Sequence, residues 1–376
     1  MAKYAEIFDE LRREIINGKY AVGGTFPSER ALMRRFGASR DSVRHAIRLL
    51  KTRRFVSCSQ GRGTQVVFGR GRRIGLIPSM SNTEFFVPLA ARISDICQRD
   101  GYALLFALAE STPLEDPIGY ANKVKKIASD FVEQGIVGIL YQPIAFFENA
   151  EAINTSILSI FDKARIPVVL LDYDLAPIPF RSGHDVVGID HVAAGALVAE
   201  HLISRGARRI GFVMLPHCSA AVENRLRGVA QSCTMHGIRF GDENVLRCNK
   251  DDCSAMVRYL SEKKSLPDAV ICGYDSLALN LVEIMRELGI SVPDDMMLAG
   301  FDDRQVARCL NLTSVHQPIE QIADAAMERI VRRIEKYSIM PSSIMFGSPL
   351  AVRSSTDSKR VAKNKKQDNH KGGINA

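Results

Sequence analysis

Two groups of residues in this chain have the types and spacing to recognise another molecule, and their chemistries differ. The first is basic and hydroxylic: Arg40, Ser42 and Arg44 follow closely on Ser39 within the stretch from Phe26 to Leu50, FPSERALMRRFGASRDSVRHAIRLL. Guanidinium and hydroxyl groups at a helix start, where unpaired backbone N–H groups also point, suit phosphate oxygens and base edges in a groove. The second group sits where short apolar runs end. Asp172, Asp190, Tyr274-Asp275 and Asp302-Asp303 occupy such positions, the loop Ser79 to Phe86 ends on Phe85-Phe86, and Arg225 stands apart. Carboxylates accept from ligand hydroxyls, an arginine donates in a fork, and an aromatic ring stacks on a sugar face. Each has a plainer role as well. An aspartate at a strand end is often the N-cap of the next helix, the role expected of Asp190 and Asp275, and one of two adjacent Phe rings is more often core than ligand wall.

The first group needs a helical hairpin to hold it. Ser28, after Pro27, caps a helix with Ala31, Leu32 and Phe36 at helical spacing until Gly37 ends it. Ser39 caps a second helix whose Val43, Ala46, Ile47 and Leu50 face inward, which turns Arg40, Ser42 and Arg44 outward. Ahead of the pair, Ile7, Phe8, Leu11, Ile15 and Ile16 make one apolar stripe from Tyr4 to Ile16, ended by Asn17-Gly18. Behind it, strands Phe55 to Ser57 and Thr64 to Val67 flank Cys58 to Gly63, a Gly-rich, positively charged hairpin tip. This is a winged helix-turn-helix.

From Arg73 the pattern becomes strands alternating with helices, the mark of a parallel sheet with helical crossovers. Strands are expected at 74–77, 103–108, 138–141 and 168–172 with helices 86–98, 121–134 and 153–164 between them. The alternation restarts with strands 186–189, 210–214, 245–246, 269–272 and 297–299. Two doubly wound lobes result, leaving a cleft at the carboxyl ends of their strands. The fold class is α/β, with the winged helix-turn-helix in front. From Arg353 the chain loses apolar residues, and disorder is expected there.

Charge supports this division. The chain has 376 residues and a formal charge of +8, yet residues 1–73 hold 17 basic against 6 acidic, residues 74–352 hold 26 against 34, and residues 353–376 hold 7 against 2. Positive charge at the ends of an acidic body suits a nucleic-acid module on a soluble domain. The start MAKYAEIFDE has no cationic flank leading into an apolar run, and nothing approaches the roughly 18 apolar residues of a membrane span, so a cytoplasmic location is expected. The eight cysteines form no Cys-x-x-Cys or Cys/His cluster and read as reduced, mostly buried thiols; no metal and no cofactor are expected.

The first 67 residues resemble the gluconate-repressor (GntR) type of winged helix regulators, through PSERAL, SRDSVRHA and GRGT, three motifs in that family's order and spacing. The resemblance implies DNA contacts from Arg30, Arg40 and Arg44, hydroxyl contacts from Ser28, Ser39 and Ser42, and groove or backbone approach by Gln60, Gly61 and Arg62. Residues 73–350 resemble the effector domain of the lactose-repressor (LacI/GalR) family, which is periplasmic binding protein-like, type I. The segments IGLIPSMSNTEFF, GIDHVAAGALVAEHLISRGARRIGFV, ENRLRGV, GYDSLALNLVEIMRELGISVPDDMMLAGFDD and LTSVHQPIEQIADAAMERIVRRIE carry that likeness. It implies ligand contacts from Arg225 and Asp302 and stacking from Phe85-Phe86, with Asp172 and Tyr274 at the cleft; Tyr274 departs from the family's usual Asn.

A winged helix of one family on the sensor of the other resembles the hybrid architecture of bacterial arabinose repressors. That implies domains at 1–68 and 73–352, joined by the linker 69–72 and followed by a basic tail, 353–376. Lobe one would be 73–175 plus 312–338, and lobe two 176–311 plus 339–352, with the strand 344–346 returning to lobe two. The expected partners are operator DNA, a small effector of carbohydrate type, and a second copy of the chain; no membrane partner is expected. Two other classes fit less well. A transport solute-binding protein needs an export signal where the winged helix sits. An enzyme with a pyridoxal-binding body needs a lysine after a strand, whereas Lys123, Lys263 and Lys264 fall on expected helices or loops, and no nucleophile elbow or phosphate loop is visible.

Overall fold

The apolar stripes of three helices meet at the N-terminus and close a small core. The computed structural model describes residues 3–16, 19–21, 23–52, 55–59, 63–67, 72–79, 83–109, 116–145, 148–176, 180–248, 253–261, 266–335 and 337–357. α1 (Lys3–Ile16), α2 (Glu29–Phe36) and α3 (Arg40–Thr52) bury Ile7, Leu11, Leu32, Val43, Ala46 and Leu50 completely. Ile47, expected inward, only flanks this core. Ser28 caps α2 by accepting from the Ala31 N–H at 3.3 Å, and Gly37 ends it in the left-handed region at φ 57°. Ser39 accepts from the Ser42 N–H at 3.3 Å and so starts α3. β1 (Val56–Ser59) and β2 (Gly63–Val66) pair antiparallel with Val56 opposite Val66. Gln60, Gly61 and Arg62 of the wing tip, Asn17-Gly18, and residues 68–71 of the linker lie outside the described residues.

The body is two six-stranded sheets. The first contains β3 (Arg73–Ile77), β4 (Ala103–Phe106), β5 (Ile136–Tyr141) and β6 (Val168–Asp172) with α4 (Thr83–Asp100), α5 (Pro117–Glu133) and α6 (Ala150–Lys163) as crossovers. β7 (Asp185–Ile189) also belongs to it. α7 (His191–Ser204) then enters the second lobe, built on β8 (Ile210–Met214), α8 (Ala220–Met235), β9 (Val245–Arg247), α9 (Cys253–Ser261), β10 (Ala269–Cys272), α10 (Asp275–Glu287), β11 (Met297–Asp302), α11 (Gln305–Cys309) and β12 (Thr313–His316). α12 (Ile319–Glu335) and β13 (Ser343–Phe346) return to the first lobe, and β14 (Leu350–Ala351) closes the second. The sheet orders are β13-β7-β6-β5-β3-β4 and β14-β12-β11-β10-β8-β9, parallel except for β14.

Three strand assignments differ from expectation. The strand at 186–189 does not restart the second lobe, because β7 pairs in parallel with β6 and β13 in the first sheet. The strand at 344–346 does not return to lobe two for the same reason. β12, expected in lobe one with the rest of 312–338, pairs with β11 in the second sheet. Short apolar strands satisfy either sheet equally well, and their hydrogen-bond partners alone decide. The chain therefore crosses between lobes at Asp190, at Gln317-Pro318 and at Gly347 to Pro349.

Buried polar groups hold these pieces in register. Asp185 is fully buried at the start of β7 and receives Arg329 Nε and Arg333 Nε from α12, both at 2.5 Å, with the Ser342 N–H at 2.8 Å. A lone charge there would be costly, and two guanidinium partners compensate it. The disorder expected from Arg353 onward does not begin there. Ser354–Thr356 form a 3₁₀ turn in which Ser355 Oγ donates to Leu298 O at 2.6 Å and accepts from the Thr313 N–H at 2.8 Å. Arg353 pairs with Asp303, and Thr356 Oγ1 lies 2.8 Å from His201 Nε2. Residues 358–376 lie outside the described residues.

α4 links the N-terminal unit to the cleft. Arg12 of α1 donates to the carbonyls of Gln98 and Arg99, at 3.3 and 3.1 Å, in the last turn of α4. Arg92 pairs with Asp324 of α12 through contacts of 2.9 and 3.0 Å. Among the described cysteines Cys97, Cys233, Cys248 and Cys272 are buried, whereas Cys58 and Cys309 are exposed. Among the described residues, no helix is long and apolar enough to cross a membrane.

Candidate functional site

On the N-terminal unit, α2 and α3 place Ser28, Arg30, Ser39, Arg40 and Arg44 on or beside one outer face; Ser42 is half-buried, its hydroxyl 3.0 Å from that of Ser39. The two capping hydroxyls each accept from their helix and keep an O–H to donate. Arg40 and Arg44 both reach Glu29: Arg44 Nε lies 3.1 and 3.2 Å from its two oxygens, and Arg40 Nε lies 3.4 Å from Oε2. A third arginine is engaged inside the unit. Arg35 reaches Glu10 at 2.8 Å and Glu14 at 2.5 and 2.8 Å, and its hydrogen bond is the main reason that Glu14 titrates near 2. Positive charge alone therefore does not mark the outer face, since Arg35 is a strut between helices.

In the body, the crossovers bring a polar chain together. α7 and α8 approach so closely that a Cβ on Gly195 would lie 2.0 Å from Arg225 O, and one on Gly228 2.0 Å from Val192 O. This contact sets Arg225, on α8, beside His191 at the start of α7. Arg225 Nε can only donate, so His191 Nδ1, 3.3 Å away, accepts. The ring proton then sits on Nε2 and is donated to Asp172 Oδ1 at 2.9 Å. Arg225 also donates to Gly273 O at 2.7 Å and to Asp302 Oδ1 at 3.4 Å, while its guanidinium lies 4.6 Å from the centre of the Phe301 ring. Asp302 Oδ1 accepts from Gln317 Nε2 at 2.5 Å.

Asp172–His191–Arg225–Asp302–Gln317 thus runs from the first lobe into the second and back to a crossover. The links from His191 to Gln317 are buried, and the one to Asp172 is partly so. Asp172, Asp302 and Asp303 have φ of 77°, 107° and 50°, left-handed values that a non-glycine residue adopts at a cost and that concentrate at functional sites. Burial alone would raise the Asp172 carboxyl, but His191, Arg225 and Gln142 outweigh it and hold it below its ordinary value. For Asp302 burial wins over Arg225 and Gln317, and its carboxyl is raised.

The remaining expected residues are placed differently. Asp190 caps α7 as expected, accepting from the Ala193 N–H at 2.9 Å. Asp275 is not a cap: Tyr274 holds that position, and the oxygens of the buried Asp275 carboxyl group accept from Ser314 Oγ at 2.8 Å and the Arg304 N–H at 3.3 Å. Tyr274 lies near Asp302, and burial pushes its hydroxyl well up. Phe85 and Phe86 are both buried in lobe one, edge to face at 4.7 Å, so neither presents an open stacking surface; the Arg304 guanidinium stands 5.7 Å from the Phe85 ring centre. α4 packs them inward because they start its apolar face. His191 and Gln317 were absent from the expected site. Their signal in the sequence is position: each lies within two residues of a strand end at a crossover, and neither crossover is visible before the sheet order is known.

Comparison with known proteins agrees with both halves. Residues 3–66 match bacterial regulatory proteins of the gntR family, and residues 199–356 match a periplasmic binding protein-like domain. The chain is 24% identical over 372 residues to the arabinose metabolism transcriptional repressor of Geobacillus stearothermophilus, covering 95% of this chain and 98% of that protein. It is 26% identical over 296 residues to the HTH-type transcriptional repressor PurR of Glaesserella parasuis serovar 5 (strain SH0165), covering 76% and 81%. Among solved structures, the transcriptional regulator CelR in complex with cellobiose is similar with a TM-score of 0.64 at 21% identity, covering 91% of this chain and 94% of that one. With a gntR-type reader in front of a periplasmic binding protein-like ligand domain, the chain is a DNA-binding transcription regulator under the control of a small ligand.

Proposed function

We propose that this regulator is a cytoplasmic repressor that binds a pseudo-palindromic operator as a homodimer and responds to a carbohydrate held between its lobes. Arg40 and Arg44 read base edges from α3, Arg30 and the hydroxyls of Ser28, Ser39 and Ser42 engage the backbone, and the wing tip Gln60 to Arg62 approaches the adjacent groove. It has no catalytic role, in keeping with relatives named as repressors. The observation that carries the ligand reading is the buried chain from Asp172 to Gln317: donors and acceptors from both lobes already converge on one hinge. A polyhydroxylated ligand supplies hydroxyls that take over these bonds, with Arg225 and Asp302 gripping from lobe two, Asp172 from lobe one, and Tyr274 lining the second lobe. Phe85 joins the wall only where Arg304 moves off its face. The relative named for arabinose metabolism and the neighbour solved with cellobiose both favour a sugar.

A thermal-shift screen of pentoses, hexoses, disaccharides and their phosphates tests this reading. A ligand at a hundred times its Kd adds about 2.7 kcal/mol of apparent stability. Asp302→Ala should lose the shift and the change in operator affinity on adding that sugar, while binding operator without it as the parent does. Loss of ligand-free DNA binding instead would make Asp302 a residue of the fold.

A further inference from the structure

The face that carries Arg40 and Arg44 also carries a carboxylate. Glu29 opens α2 directly after the Ser28 cap, a place where any acid is favourable beside the helix N-terminus. Yet its side chain crosses to α3 and takes both arginines, Arg44 Nε at 3.1 and 3.2 Å and Arg40 Nε at 3.4 Å. Arg40 and Arg44 are one helical turn apart, so a single carboxylate gathers the two guanidinium groups. Both contacts use Nε, so the terminal N–H groups of Arg44, an edge suited to a guanine, are not hydrogen-bonded to Glu29. The three side chains are 38, 51 and 64% exposed, and ion pairs so open to water add little to folding.

We propose that Glu29 is a specificity-determining residue of the DNA reader. It holds Arg40 and Arg44 ready for base edges, and it places a negative charge among the phosphates whenever the arginines are not matched to bases. Without it, each arginine is free to turn to the nearest phosphate, which favours any DNA equally. Discrimination here comes from a repulsive element as much as from attraction. The inference rests on the reading that α3 faces DNA.

Glu29→Gln keeps the size of the side chain and removes the charge. The full-length chain, a duplex chosen by the parent protein from a random-sequence pool, and sheared genomic DNA provide the test, with affinities measured across a range of salt. The variant should unfold at the parent's temperature and bind genomic DNA about ten-fold more tightly. Its salt dependence on that DNA should steepen by about one unit of slope, the signature of an added phosphate contact. The ratio of selected to genomic affinity should fall by at least about ten-fold. An unchanged ratio overturns the proposal and leaves Glu29 a charge at a helix start. Arg44→Ala separates the two levels: if it binds the selected duplex as the parent does, α3 does not face DNA; if it loses that binding while Glu29→Gln keeps its ratio, only the role of Glu29 is wrong.

Discussion

Arg44 and Glu29 pair on the reader with 51 and 38% of their side chains exposed, whereas Arg225 and Asp302 pair at the hinge with 5 and 7% exposed. Water screens the first pair, so its opening costs little and the arginine is available to another partner. The second pair has no solvent to fall back on. There each group depends on the others, and removing one leaves a buried charge unmatched. An arginine–carboxylate pair therefore exchanges partners easily at one end of the molecule and holds its arrangement at the other.

Substitution at the hinge should have the largest effect. Arg225→Ala strips partners from Asp302, His191 and Gly273 at once and should lower stability by about 3–5 kcal/mol, measured by chemical unfolding. A loss of under about 1 kcal/mol would mean that the hinge relaxes like a surface and would erase the contrast. Truncation comes next. Removing residues 353–376 takes away Arg353, Ser355 and Thr356 and leaves buried partners at Thr313 and Leu298, which should cost about 2–4 kcal/mol, while removal of residues 358–376 alone should change little. Arg44→Ala should cost about 1–3 kcal/mol in operator binding and change folding stability by no more than about 0.5 kcal/mol. Operator and unfolding measurements on one preparation check both halves.

Titration tests the comparison in a different way, because the sign of the pH dependence differs between the regions. Burial, with Asp302 nearby, raises the Asp275 carboxyl from 3.8 to about 8. The folded state then holds a proton that the unfolded chain releases, so this contribution is full below about pH 4 and fades as pH rises towards 8. Glu14 behaves in the opposite way. Lowered from 4.5 to about 2, chiefly by Arg35, it stabilises the reader above pH 4.5, and that contribution is lost as pH falls towards 2. Calorimetry of Asp275→Asn and Glu14→Gln should flatten the dependence in separate pH windows; a shared window would show that the two units do not titrate independently.

The sequence made the reader legible almost residue by residue, because caps and apolar stripes are local signals. Ser28, Gly37 and Ser39 occupy the positions their chemistry predicts. The lobes were legible as alternating strands and helices but not as connections. β7 is buried along its whole length and reads the same whether it joins β6 or β8. His191 and Gln317 escaped notice with the crossovers they occupy. Ser354 to Thr356 looked like the start of a disordered tail because hydroxyl residues read as polar surface, and only the strand ends they meet turn them into buried acceptors and donors. The loop position of Phe85-Phe86 suggests a stacking ring with one of the two in the core, yet both belong to α4 and both are buried.

α4 also behaves as a lever. From the Phe85 ring under Arg304 to the carbonyls that Arg12 grasps it runs about 20 Å. Beyond Pro88, whose missing N–H interrupts its first turns, a rod of that length tilted by about 5° would move its far end by roughly 2 Å. Were the lobes to pivot about the cleft, the motion would reach α1 through the bonds that Arg12 makes to α4. A ligand between the lobes would then act on the reader without approaching the DNA.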